Sequence, residues 1–101
     1  MTGYLIKVTY TSGRHQGHSY FLQKGGYVHD ETKDYEWREN TYKTRGIADR
    51  ICRKLKADNE INIKTERMQY DIWTKQGYVP DKKYWLYENE EYEPFEIEVI
   101  G

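Results

Sequence analysis

The run Thr44-Arg45-Gly46-Ile47-Ala48-Asp49-Arg50-Ile51-Cys52-Arg53-Lys54-Leu55 sets the class of fold. Ile47, Ile51 and Leu55 recur at i, i+4 and i+8, with Ala48 and Cys52 beside them. That spacing predicts an amphipathic helix of about three to four turns. Thr44 is a suitable N-cap, because its hydroxyl can accept from an unpaired first-turn amide. Asp58-Asn59 reads as the end of this helix and the cap of a second. Ile61, Thr65, Met68 and Ile72 then form a second helical stripe at i, i+4, i+7 and i+11. The alternation of Ile61 and Ile63 also permits a short extended piece. Gly77 supplies a helix stop, and Pro80 marks a loop.

Upstream of the helix the period changes to two. Tyr4, Ile6, Val8 and Tyr10 alternate with Leu5, Lys7 and Thr9, which predicts a strand with one buried face. Thr11 to Gly17 is turn-like, and a second strand follows near 18–24 with Tyr20 and Leu22 on one face. Tyr27-Val28 can extend the sheet. Tyr35, Trp37, Thr41 and Tyr42 can form an irregular third strand. Downstream, Tyr84 to Tyr87 reads as a strand, Glu88 to Pro94 as an acidic connection, and Phe95, Ile97 and Val99 as the core face of a last strand. The expected architecture is α+β: an antiparallel sheet from N- and C-terminal hairpins, with two helices packed on one face. One domain spans residues 1–101. The expected core is Ile6, Val8, Leu22, Ile47, Ile51, Leu55, Met68, Ile72, Trp85, Phe95, Ile97 and Val99.

The composition bounds the class. Only 37% of the 101 residues are hydrophobic, and eleven of those are Tyr. The scarcity of aliphatic residues raises disorder as a possibility, but a net charge of −1 and 16% aromatic residues oppose it. The single cysteine, Cys52, cannot form an internal disulfide, which fits a reducing compartment. No apolar run approaches a membrane span. The N-terminus goes straight into a strand pattern, so no signal peptide is expected.

Charge is more telling by position than by sum. Glu88, Glu90, Glu91, Glu93, Glu96 and Glu98 stand in a C-terminal stretch without Lys or Arg. The near-zero net charge therefore hides an acidic end and a basic body.

No catalytic constellation emerges. His15 and His18, three apart around a turn, lack partner ligands, and with His29 they exhaust the histidines. Cys52 lies on an apolar stripe, where a structural thiol is expected. No nucleotide-binding loop or nucleophile elbow is present. The expectation is a non-enzyme with no metal site and no cofactor.

Two charged surfaces remain. Tyr87, Glu88, Glu90, Glu91, Tyr92, Glu93, Glu96 and Glu98 form an acidic, tyrosine-interleaved strip. Glu96 and Glu98 on one strand face lie roughly 6.5–7 Å apart, close to the spacing of successive DNA phosphates. Such a strip can imitate a nucleic-acid backbone and dock in a basic groove; it can equally protect a sheet edge. Lys43, Arg45, Arg50, Arg53 and Lys54, on and beside the helix at 44–57, form a candidate phosphate-binding face. The plainer alternative is a solvated helix face whose charges pair with the acidic end. The eleven tyrosines serve either as core substitutes or as binding area.

The runs Tyr4-Leu5-Ile6-Lys7-Val8-Thr9-Tyr10, Lys24-Gly25-Gly26-Tyr27-Val28, Tyr42-Lys43-Thr44-Arg45-Gly46-Ile47-Ala48 and Tyr92-Glu93-Pro94-Phe95-Glu96 carry a resemblance. The chain resembles small proteins carried by phages and prophages of Gram-positive bacteria. The resemblance implies an anti-CRISPR or other anti-defence inhibitor that acts by binding a bacterial defence protein, most plausibly a CRISPR effector, in the cytoplasm of the infected host. It transfers no site residues. The alternatives are a protein that binds nucleic acid or a signalling nucleotide through the basic helix, and a small regulatory interaction domain, dimerising through a strand edge.

Overall fold

Strand β1 (Thr2–Tyr10) carries apolar side chains on both of its faces, and the rest of the fold is arranged to cover them. A computed structural model describes residues 2–13, 15–26, 28–29, 40–77 and 89–99. The other described elements are β2 (Ser19–Leu22), β3 (Val28–His29), α1 (Arg45–Lys75) and β4 (Glu90–Glu98). The strands form an antiparallel sheet in the order β3-β2-β1-β4. Paired residues share a face, so the register sorts the side chains. Ile6 faces Leu22 and Pro94, and Val8 faces Tyr20 and Tyr92, on the α1 side. Leu5 faces Phe95 on the far side, where Leu5 and Val99 gather with Phe21 and Ile97. The Phe21 and Phe95 rings lie 5.0 Å apart there.

The two-helix architecture is not what forms. One helix of 31 residues runs from Arg45 to Lys75. The reason is Asn59. It is buried, and its side-chain Oδ1 accepts from the backbone N–H of Glu90 at 3.2 Å. An Oδ1 turned to the strand is not aimed at the amides of the next helical turn, and the backbone passes through Asp58-Asn59 in helical form. The coarse class is α+β: among the described residues one helix lies on a four-stranded antiparallel sheet. Thr44 is the N-cap, its hydroxyl accepting from Ile47 N–H at 3.3 Å. At the other end Gln76 caps the helix, and Gly77 follows with φ 82°, a conformation that favours glycine.

A second correction concerns the C-terminal hairpin. Among the described residues, β4 pairs with β1 along its whole length, from Thr2↔Glu98 to Tyr10↔Glu90. The segment from Glu90 to Pro94, predicted as a connection, is strand. Tyr84 to Tyr87, Trp85 and most of the irregular segment at 27–43 lie outside the described residues. Tyr42 forms a two-way bridge with Tyr4, at 2.9 Å each way.

Pro94 survives inside β4 for a geometric reason. Tyr4 exchanges bonds with Tyr42, and Tyr10 with His18 and Gly17, so the even-numbered groups of β1 point toward β2. The odd ones therefore serve β4, where Leu5, Lys7 and Thr9 face Phe95, Glu93 and Glu91. Pro94 sits out of that phase, and its missing N–H points away from β1.

The predicted core is split by these corrections. Ala48 and Cys52 pack on Ile6 and Val8, with Ile51, Leu55, Leu22 and Tyr92 around them. Phe95, Ile97 and Val99 serve the opposite face of the sheet. Ile47, Met68 and Ile72 are exposed.

Gly3 faces Thr41 and Val99 at a close approach. A Cβ built on Gly3 would lie 2.6 Å from Thr41 Oγ1 and 2.8 Å from Val99 Cγ2. Thr41 is buried, and its hydroxyl has no hydrogen-bond partner among the described residues. Gly3→Ala should therefore destabilise the fold by about 1–3 kcal/mol through overpacking. Thr41→Val should leave stability unchanged or raise it by up to ~2 kcal/mol, since it removes an unsatisfied polar group. Urea unfolding midpoints of the two variants check the pair.

Candidate functional site

The acidic strip and the basic helix meet at Glu90. Its carboxylate Oε2 accepts from Tyr20 OH at 2.8 Å and from Tyr92 OH at 3.3 Å. Its backbone N–H donates to Asn59, and its carbonyl accepts from Lys56 Nζ at 2.9 Å. The same ammonium reaches Glu91 Oε1 at 2.9 Å. One residue thus ties β2, β4 and α1 together.

This junction divides the candidate partner-binding residues. Glu90 and Tyr92 face α1 and are half-buried in structural bonds. Glu91 and Glu93 stand in the opposite phase of β4 and are exposed, but Lys56 of α1 reaches Glu91 and Lys7 lies 3.9 Å from Glu93. Glu96 and Glu98 are exposed on the α1 side. Tyr87 and Glu88 lie outside the described residues. The five described acids are therefore not one continuous strip, because successive residues of a strand point to opposite faces.

The basic residues are less consumed. Lys43, Arg45, Arg50, Arg53 and Lys54 are all exposed. On α1, Arg50, Arg53 and Lys54 fall at i, i+3 and i+4, on the outer side from Ala48 and Cys52. Among the described residues no ion pair engages Arg45, Arg50, Arg53 or Lys54. The first turn of α1 contains no acid, so the positive end of the helix dipole adds to this face.

An open groove of about 390 Å³ runs between α1 and β4. Asp49, Cys52, Arg53 and Lys56 line it from the helix, and Glu91 and Tyr92 from the strand. Sequence reading missed it, although residues 49, 52, 53 and 56 share one helix flank. Cys52 is a buried, free thiol beside this groove. Burial, followed by the Asp49 and Glu93 carboxylates, pushes its thiol up to about 11. That leaves almost no thiolate near neutrality.

The histidines do not converge. His15 packs against Tyr10 with ring centroids 5.4 Å apart, and His29 shares a hydrogen bond of 2.7 Å with Gln23. Among the described residues no group of three or more His, Cys, Asp and Glu side chains could hold a metal ion. No helix among them is long and apolar enough to cross a membrane. Comparison with family models, curated proteins and solved structures gave no match.

Tyr20 and Tyr92 carry a pH signature. Burial raises both hydroxyls well above the ordinary tyrosine value of 10.0, and the Glu90 carboxylate, through its hydrogen bond and its charge, raises them further. Their neutral forms are held in the fold, so the folded chain keeps protons that the unfolded chain loses. This stabilisation is whole below about pH 10 and is lost as pH climbs toward the folded values. Denaturant midpoints should fall above pH 10, and Tyr20→Phe should flatten that fall while costing about 1 kcal/mol at pH 7. Unfolding curves from pH 7 to 11 check both.

Proposed function

We propose that the protein acts by binding, without catalysing a reaction, through the basic outer face of α1. The ligand class is the phosphate backbone of a nucleic acid. Arg50, Arg53 and Lys54 stand exposed on one rigid helix, and no ion pair among the described residues engages them. That observation carries the reading. A solvated face neutralised by the acidic end would show its cations paired, and among the described residues Lys56 alone of α1 is paired that way. Arg45 and Lys43 extend the face past the start of the helix. From Lys43 to Lys54 it covers roughly 16 Å, enough for two or three successive phosphates.

The reading makes a salt-dependent claim. Mobility shifts against single- and double-stranded oligonucleotides should show binding that weakens with salt. Arg50→Glu with Arg53→Glu should abolish it, and neutralising one of them should lower the salt slope by about one unit. Undiminished binding in the double variant, or no binding by the unaltered chain, overturns the proposal.

A second reading is the inhibitor of a bacterial defence protein, such as a CRISPR effector, that offers an acidic surface in place of nucleic acid. It is favoured by Glu96 and Glu98, which project from β4 on one side of the sheet and are exposed. The junction at Glu90 makes that residue unsuitable for a test, since its substitution would disturb the fold. Glu96→Lys with Glu98→Lys should abolish inhibition of the target with the unfolding midpoint held. Full inhibition by that variant excludes the acidic surface.

A further inference from the structure

The second half of α1 exposes a stripe that the fold does not use. Ile61 is 62% exposed, Met68 58% and Ile72 48%, with Thr65 exposed among them. The core clusters and hydrogen bonds that join α1 to the described strands end at Asn59. On the other side of this half, Ile63 is buried and Tyr70 and Trp73 are half-buried. The helix therefore has two apolar stripes, and one of them faces water. Residues 61, 65, 68 and 72 are spaced by four, three and four, the alternation of a coiled-coil seam. A contiguous exposed apolar row of this kind marks an interaction surface.

We propose that this stripe pairs with the same stripe of a second copy, antiparallel, as a two-fold helix-to-helix dimer. The occupant is chosen by charge. Along the seam the order is Asp58, Ile61, Lys64, Thr65, Met68, Asp71, Ile72, Lys75, and all eight residues are exposed. Reversing this row against itself stacks Ile61 on Ile72 of the second copy and Thr65 on its Met68. The same register sets Asp58 against Lys75 at each end of the seam and Lys64 beside Asp71 along its flank. Every charged position then meets its opposite, and each pairing occurs twice by symmetry. Asn62 and Gln69 fall together on the remaining flank, where two amides can bond.

Competing arrangements lose this match. Sliding one helix by a heptad brings Lys64 against Lys64, or Asp71 against Asp71. A parallel pair sets Lys64 beside Gln69 and Asp71 beside Gln76, with no opposite charges. Like charges face to face oppose the wrong registers, and the favourable pairs select one. The dimer uses a helix seam rather than a strand edge, and it stands whether or not the basic face binds phosphate.

The experiment is a concentration series of the full chain by sedimentation velocity, at low and moderate salt. A monomer–dimer equilibrium is expected, weaker at moderate salt. Met68→Glu should give a monomer. Lys64→Asp and Asp71→Lys should each weaken self-association at least about tenfold. An equimolar mixture of those two variants should associate again, because each mismatched position then meets its complement. Recovery on mixing also shows that both variants are folded. A monomer at every concentration up to the solubility limit overturns the proposal. So does unweakened association of the single variants, or a mixture that fails to recover.

Discussion

The fold depends on how α1 is held at the start of β4. Lys56 and Asn59, one turn apart, engage the carbonyl and the N–H of Glu90, while the Glu90 carboxylate takes the hydroxyls of Tyr20 and Tyr92. Apolar contact alone would not fix the helix along its axis, since Ala48 and Cys52 offer little shape to resist sliding. Directional bonds to a single strand residue do so, and they leave the backbone polar groups of Glu90 satisfied. C-terminal to Asn59, the face of α1 that carries Ile61, Met68 and Ile72 stays exposed. N-terminal to it, Ala48, Ile51, Cys52 and Leu55 are committed to covering Ile6 and Val8.

This arrangement also explains how a chain poor in aliphatic residues builds a core. Tyrosines fill the margin around Ile6, Val8, Ala48 and Cys52: Tyr4, Tyr20, Tyr42 and Tyr92 all pack there. A tyrosine ring supplies apolar area, and its hydroxyl needs a partner when buried. Glu90 is that partner for two of them. The acidic composition of the C-terminal stretch is thus partly structural, which bears directly on how much of it is available for a ligand.

Much of the local structure was legible in the sequence. The period of two over 4–10 marks a strand that forms, although Leu5 buries its second face as well, and the Thr44 cap and the Gly77 stop describe what forms. Two errors arose where a local signal had a distant partner. Asn59 looks like a helix boundary until its amide is seen to bond a residue 31 positions away. Pro94 and the glutamates before it look like a loop until β1 shows which amides β4 must supply. The candidate site was legible as two charged groups but not in its division. Strand alternation separates Glu91 and Glu93 from Glu96 and Glu98; the approach of Lys7 to Glu93 follows from register, and that of Lys56 to Glu91 from the docking of α1. The outer stripe of α1 was visible as Ile61, Thr65, Met68 and Ile72. Periodicity found it and could not say which way it faced.

The central position of β1 has a consequence for heredity. Its odd and even residues differ at once in face and in hydrogen-bond partner, because it is flanked by β2 on one side and β4 on the other. Loss or gain of a single codon within it would exchange both assignments together. Lys7 would be driven against α1, and Ile6 and Val8 would leave it. Related genes should therefore exchange residues of like size and polarity along this strand without changing its length. Length differences should instead accumulate in the turn between Thr11 and His18.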